Sequence, residues 1–133
     1  MGVGHDRLQT ADPRLMPFDW REYLRLAESL ESGAAPAHQE AAWRTAVSRS
    51  YYAAFCRLRN VARDQEGFAP RGTEEDHVRL RDHLRTRNQD RVAQELGRLR
   101  QWRNACDYDD EVPNLERAVA FSTLTAREIL NRL

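Results

Sequence analysis

The sequence predicts an all-α protein, an antiparallel helical bundle of about five helices, four main and one short. Three observations predict it. Apolar residues recur at steps of three and four along five segments. The connections between those segments are short and rich in Gly, Pro, Asn and Asp. No segment alternates apolar and polar residues with the period of a strand. At 133 residues the chain suits one domain, with a core that needs no disulfide or metal staple.

Residues 1–17, MGVGHDRLQTADPRLMP, mix Gly, Pro and charge and read as a flexible N-terminal arm, with the bundle over 18–133. The first helix begins at FDWREYL. Asp19 is placed to cap it, Glu22 to reach back, and Phe18 and Tyr23 to form a hydrophobic staple. Trp20, Tyr23, Leu24, Ala27 and Leu30 line one face, and Gly33 ends it. The second helix is the longest, about 37–65. Its apolar row is Trp43, Val47, Tyr51, Ala54, Leu58 and Val61, widened by Phe55 and Ala62. Arg44, Arg57, Arg59 and Arg63 lie mostly off that row. EGFAPRGT then breaks the chain with Gly and Pro.

The third helix is short. Thr73 is placed as its cap, His77, Leu80 and Leu84 share one face, and Arg79, His83 and Arg87 share another. Asn88 is placed to cap a fourth helix over about 89–107, whose row is Val92, Leu96, Leu99, Arg103 and Cys106. DDEVPN is the next turn. The fifth helix, about 114–133, carries Leu115, Val119, Ala126, Ile129 and Leu133 on one row, with Phe121 and Leu124 elsewhere. A helix apolar on more than one side is buried on more than one side, which predicts a homodimer surface.

The 21 basic and 21 acidic residues cancel, so no global field argues for nucleic acid or membrane. Any nucleic-acid site is a local patch, and no DNA partner is expected. Every basic residue is Arg, which codon bias in a GC-rich genome explains most simply. The consequence is chemical all the same: Arg forks grip phosphates and carboxylates in a bidentate way that Lys cannot. Cys56 and Cys106 make neither a disulfide framework nor a zinc site, and read as small buried hydrophobes in a reducing compartment. No apolar run is long enough for a membrane span, and no secretory signal stands at the N-terminus. A cytoplasmic protein is expected. There is no Gly-rich phosphate loop and no metal-ligand spacing, so no cofactor and no metal are expected.

Arg103 is the first candidate site residue. It continues the row Val92, Leu96, Leu99, and a charge there needs a partner or a task. Asp107, four residues on, is placed to pair with it. Two readings stand: a structural clamp, or an arginine facing a cleft or ligand. A truly buried pair makes Asp107 worth about 3 kcal/mol or more. The acidic run Asp107, Asp109, Asp110, Glu111 stands where the helix macrodipole prefers cations. It reads as a solvated turn, an arginine-facing clamp or, with no known loop spacing, a hard-cation site. SRSYYAAF puts Ser48, Arg49, Tyr51 and Tyr52 on adjacent faces of the second helix. These are core aromatics with locally bonded hydroxyls, or binding residues, with Ser48, Tyr51, Tyr52 and Asp107 the binding candidates. His77 reads as a satisfied core histidine, while His5, His38 and His83 read as surface residues.

AVSRSYYAAF on a long helix, then LGRLRQWRNACDYD and a final amphipathic helix, resembles the HEPN domains over about residues 18–133. The resemblance implies a small helical bundle that is a homodimer. Many HEPN domains are metal-independent RNases carrying Arg, four to six residues, then His, with the two copies meeting across the dimer cleft. Many act as toxins or defence effectors, often beside a nucleotidyltransferase-like antitoxin. Arg103 and Asn104 match the start of that motif, and Tyr108 stands where the histidine is expected. A phenol with a pKa near 10 is a poor base at neutral pH. The resemblance thus implies Arg103, Asn104 and Tyr108 as the catalytic candidates. The expected function is a dimeric protein of a toxin–antitoxin or defence system that binds RNA or cleaves it weakly. The alternatives are a non-catalytic helical module that joins a partner protein, and a nucleotide- or small-ligand-binding bundle.

Overall fold

α1 (Arg21–Gly33), α2 (Gln39–Gln65), α3 (Glu75–Thr86), α4 (Asp90–Tyr108) and α5 (Leu115–Asn131) make up the fold, with a 3₁₀ turn at Pro36–His38 before α2. The structure is a computed structural model that describes residues 16–133. All but the last two residues of the expected N-terminal arm lie outside that range. Among the described residues there is no strand, and no helix is long and apolar enough to cross a membrane.

The entry to α1 follows from its sequence. Asp19 Oδ1 accepts the Arg21 N–H at 3.0 Å, and the Phe18 ring lies 5.2 Å from Tyr23 and 4.8 Å from Trp20. This is the cap and staple expected of FDWREYL. Glu22 does not reach back, because Arg25, one turn on, takes its carboxylate.

α2 is the hub and touches the four other helices. Trp43 Nε1 donates to the Glu31 carbonyl at 3.0 Å near one end, and Arg59 lies over the Trp20 ring near the other, so α1 and α2 are antiparallel. Ser48 meets Asp107 while Leu58 and Val92 line one pocket, so α2 and α4 are antiparallel too. α5 returns alongside α2, with Leu115 near Trp43 and Ile129 near Leu58. The four long helices therefore alternate in direction. α3 runs the same way as α2, with His77 against Tyr51 and His83 against Glu66, because the connection after α2 doubles back. Gly67 and Gly72 have φ of 74° and 75°, which that reversal requires and other residues resist.

The apolar rows close on one another. Val47, Tyr51, Ala54 and Leu58 of α2 meet Leu80, Leu84, Leu96, Leu99, Val119, Ala126 and Ile129, all buried. Each fully buried Val, Leu or Ile side chain among them is worth about 1.5–3 kcal/mol.

Four local expectations are corrected. Thr73 makes no side-chain cap on α3. Asp76 organises that end instead, accepting N–H bonds from Arg71 (3.0 Å) and Gly72 (2.8 Å) and an ion pair from Arg79 (2.8 Å). Asn88 does not cap α4 with its side chain. At φ 60° it closes α3, with its N–H on the Arg85 carbonyl and the Gln89 N–H on the Leu84 carbonyl, a Schellman end that Asn tolerates. His83 is half-buried and paired with Glu66 at 2.8 Å rather than free on the surface. Phe121 packs against the core under the Arg98 guanidinium, 4.8 Å from its ring centre. Of the second apolar side expected on α5, Leu124 is the part that stays open, at 50% exposure.

Candidate functional site

Arg103 occupies the position on α4 where the row Leu96, Leu99 would place another aliphatic residue, and it is 9% exposed. Its Nε donates to Asp107 Oδ2 at 2.8 Å and its Nη1 to Asn104 Oδ1 at 2.9 Å. The guanidinium lies over two rings, Tyr52 at 5.0 Å and Tyr108 at 5.6 Å. Burial by itself lowers its pKa, but Tyr52 and Asp107 outweigh burial and the pKa is raised. Arg103 is therefore a fixed cation, held between aromatic faces.

Asp107 joins α4 to α2. Ser48 Oγ donates to Asp107 Oδ2 at 3.3 Å, and Arg49 Nη2 donates to Ser48 Oγ at 3.1 Å. The Arg49 guanidinium lies over Tyr52 at 5.2 Å and Tyr23 at 4.7 Å. A line of side chains results, Arg49–Ser48–Asp107–Arg103–Asn104, in which Arg103 pairs with the carboxylate directly and Arg49 reaches it only through the Ser48 hydroxyl. Tyr52 stands between the two guanidiniums. Burial raises its pKa and Arg103 acts against that, so the phenol stays neutral and keeps its proton to donate. Tyr108, 73% exposed, forms the rim.

The C-terminal end of α4 has a partner on α2. Arg44 donates to three main-chain carbonyls there, Cys106 (3.0 Å), Asp109 (2.6 Å) and Asp110 (3.0 Å), and its Nε pairs with Glu40 at 3.1 Å. The last turn of α4 has no basic residue of its own. The cation that its carbonyl dipoles favour comes from a neighbouring helix. The side chains of Asp109, Asp110 and Glu111 stay in solvent. Beneath the cap, the Cys106 thiol is pushed up to about 11, mainly by burial, and is inert as a nucleophile at neutral pH.

The structure thus brings Ser48, Tyr52, Arg103, Asn104, Asp107 and Tyr108 to one face of the bundle. Tyr51 is left out of it. It is fully buried, and its hydroxyl bonds His77 Nδ1. Consecutive helix residues point about 100° apart, so Tyr51 faces the core while Tyr52 reaches the rim. His77 is the satisfied core histidine that its row implies: 6% exposed and stacked on Phe55 at 4.4 Å. Burial lowers its pKa, with Arg100 adding to the effect, and burial drives that of Tyr51 far up, so both are neutral. His77 lies behind Tyr52, 6.4 Å ring to ring, with its Nε2 toward the Glu74 carboxylate at 4.0 Å. Arg44 and Arg49, both named on this helix from the sequence, were not among its binding candidates. The available signal was spacing: with Ser48 and Tyr52 they occupy one side of α2.

The face offers fixed positive charge, two aromatic rings and a phenol proton, with no side chain that titrates near neutral pH. No family model, no curated protein and no solved structure matches the chain.

Proposed function

We propose that the chain is a dimeric HEPN-type protein of a toxin–antitoxin or defence system, which binds RNA at the Arg103 face and is at most a weak ribonuclease. The observation that carries this reading is the Arg103 guanidinium, set in the apolar row of α4 and opening between Tyr52 and Tyr108. The Arg103 guanidinium offers a phosphate a fixed cation, which the exposed acids 109–111 weaken, and the exposed Tyr108 ring offers a base a stacking surface. In a twofold dimer, two such arginines facing each other stabilise the charge that develops on a phosphorane. Asn104 has its Oδ1 engaged by Arg103, which leaves its amide N–H groups to orient a 2′-hydroxyl. Tyr108 donates a proton to an oxygen. General acid–base catalysis is worth about 100- to 10,000-fold, and this face lacks a histidine to supply it. A nucleotidyltransferase-like antitoxin and a cytoplasmic location belong to the same proposal.

A second reading, a non-catalytic helical module that joins a partner protein, draws support from Leu124, exposed on α5, and from how fully Arg103 is already partnered. One set of measurements separates the two. On the first reading, light scattering at micromolar concentration gives a dimer mass, a labelled single-stranded RNA binds, and cleavage is slow or absent. Tyr108→His, which places a histidine five residues after Arg103, then raises cleavage. A monomer that binds no RNA overturns the first reading in favour of the second. Fast wild-type cleavage that survives Arg103→Ala moves the catalytic centre elsewhere.

A further inference from the structure

α3 and α4 lie side by side and leave between them a groove of about 450 Å³. Arg81 and Arg85 of α3 and Arg98 and Arg100 of α4 line it, and no acidic side chain does. Gly97 forms part of the floor. A Cβ there would meet Arg81 Cδ at 3.5 Å, so the bare backbone keeps the groove open beside that arginine.

The protein's own carboxylates leave this charge partly unanswered. Arg85 reaches Asp82 at 2.9 Å and Arg100 reaches Glu74 at 3.1 Å, and both carboxylates lie outside the lining. Arg81 donates to the His77 carbonyl at 3.1 Å, and Arg98 lies over Phe121. Neither makes an ion pair among the described residues. Arg100 Nε is buried with no hydrogen-bond partner. The pKa of Arg81 is lowered, first by burial and then by the like charges of Arg100 and Arg85. An anion in the groove offsets the positive charge that these side chains share.

The shape of the groove selects the anion. Arginine forks match phosphate oxygens. The α4 side runs from Gln94 to Asn104, ten helical steps or about 15 Å, which gives room for more than one phosphate. No aromatic ring lines it, so a base has nothing to stack on inside. The groove ends at Asn104, one helical turn from the exposed Tyr108 ring. A free nucleotide would need charge and stacking at one point, whereas an extended strand takes them in succession.

We infer that the α3–α4 groove binds the phosphate backbone of a single-stranded nucleic acid, without reading its sequence, and leads it toward Tyr108. The inference rests on the proposed RNA-binding reading for where the bases go, and on the groove alone for the phosphates.

The probe is an abasic sugar-phosphate strand of about ten phosphates, compared by fluorescence anisotropy with a uridine strand of equal length, ATP and a decaglutamate peptide. The abasic strand should bind the wild-type protein, and binding should weaken as salt rises from about 50 to 200 mM. Arg81→Gln combined with Arg98→Gln should weaken it at least about tenfold and flatten the log–log salt slope by about 1.4, or 0.7 for each lost phosphate contact. Gly97→Glu is the second variant. It puts a carboxylate on the floor at a helical position where glycine is the poorer helix former, so the fold is retained and strand binding is lost. Unchanged binding in both variants overturns the inference. Tighter binding of ATP or decaglutamate than of the abasic strand also overturns it, in favour of a nucleotide or an acidic peptide. Tyr108→Ala keeps the two readings apart. If it weakens only the uridine strand, both stand. If the uridine strand is indifferent to it while the groove variants lose both strands, the groove stands and the Arg103 reading fails.

Discussion

Arg103 and Arg44 end inside the protein's own network, whereas Arg81 and Arg98, on the neighbouring face, do not. Arg103 has a carboxylate, an amide oxygen and two aromatic faces. Arg44 has three main-chain carbonyls and a glutamate. Arg81 has one carbonyl, and Arg98 has one ring. All four carry the same charge on the same stem. The difference is what the backbone places within reach, and it sorts one residue type into two tasks. A guanidinium held by the fold contributes stability and presents its remaining donors at a fixed place, as Arg103 does between Tyr52 and Tyr108. One left with spare donors contributes mainly affinity for something outside.

The largest effect expected from this contrast is at Asp107. Asp107→Ala leaves the Arg103 guanidinium, 9% exposed, without its carboxylate. Breaking a fully buried pair costs about 3–5 kcal/mol. The Asp107 side chain is 27% exposed, so water replaces part of what is lost. A loss of about 2 kcal/mol is expected in denaturant unfolding. A loss under about 0.5 kcal/mol would show that Arg103 is solvated in the folded protein and would collapse the contrast.

A smaller effect comes through His77, which burial holds neutral, with Arg100 next and Arg103 and Arg81 further down the order of causes. Its folded pKa lies below its unfolded value, so its contribution is fully present above about pH 6.5 and is lost as pH falls below that. Stability measured from pH 7.5 to 5 should therefore decline. In Arg100→Gln the decline should be shallower, since one repelling cation is gone. An identical slope in the variant would assign the whole shift to burial and remove the groove's field from the account. Asp76 acts in a separate window. Its burial is outweighed by N–H bonds from Arg71 and Gly72 and by Arg79, so its carboxyl is held below the usual range and its contribution is lost only as pH falls below about 4.

The smallest effect is at Arg98. Arg98→Gln removes a cation–π contact at an exposed arginine and should change stability by less than about 1 kcal/mol. A loss as large as that of Asp107→Ala would place Arg98 among the structural arginines.

Much of the bundle was legible because helix periodicity is a local property. The rows of α2 and α4 were read residue by residue, Arg103 and its Asp107 partner included, since a pair four apart on one helix needs no knowledge of the fold. The same holds for Asp19 and the Phe18–Tyr23 staple. The misreadings fell where local options compete. Thr73 and Asn88 are both cap formers by type, but the doubled-back connection gave the α3 entry to Asp76, and the tight turn before α4 put Asn88 in the left-handed region. His83 read as a surface residue because its partner Glu66 is 17 residues away.

By itself the sequence determined the helices, their apolar rows, the position of a charge inside one of those rows and its nearest partner. These follow from steps of three and four along one chain. The tertiary structure alone decided the rest. It brought Arg44 across to the α4 carbonyls, placed Ser48 against Asp107, set the Tyr51 hydroxyl on His77 while leaving Tyr52 at the rim, and brought four arginines of two helices to line one groove. Each of those contacts joins different helices. Their geometry depends on the crossing and register of whole elements, which the packing of the complete core fixes and no single segment encodes.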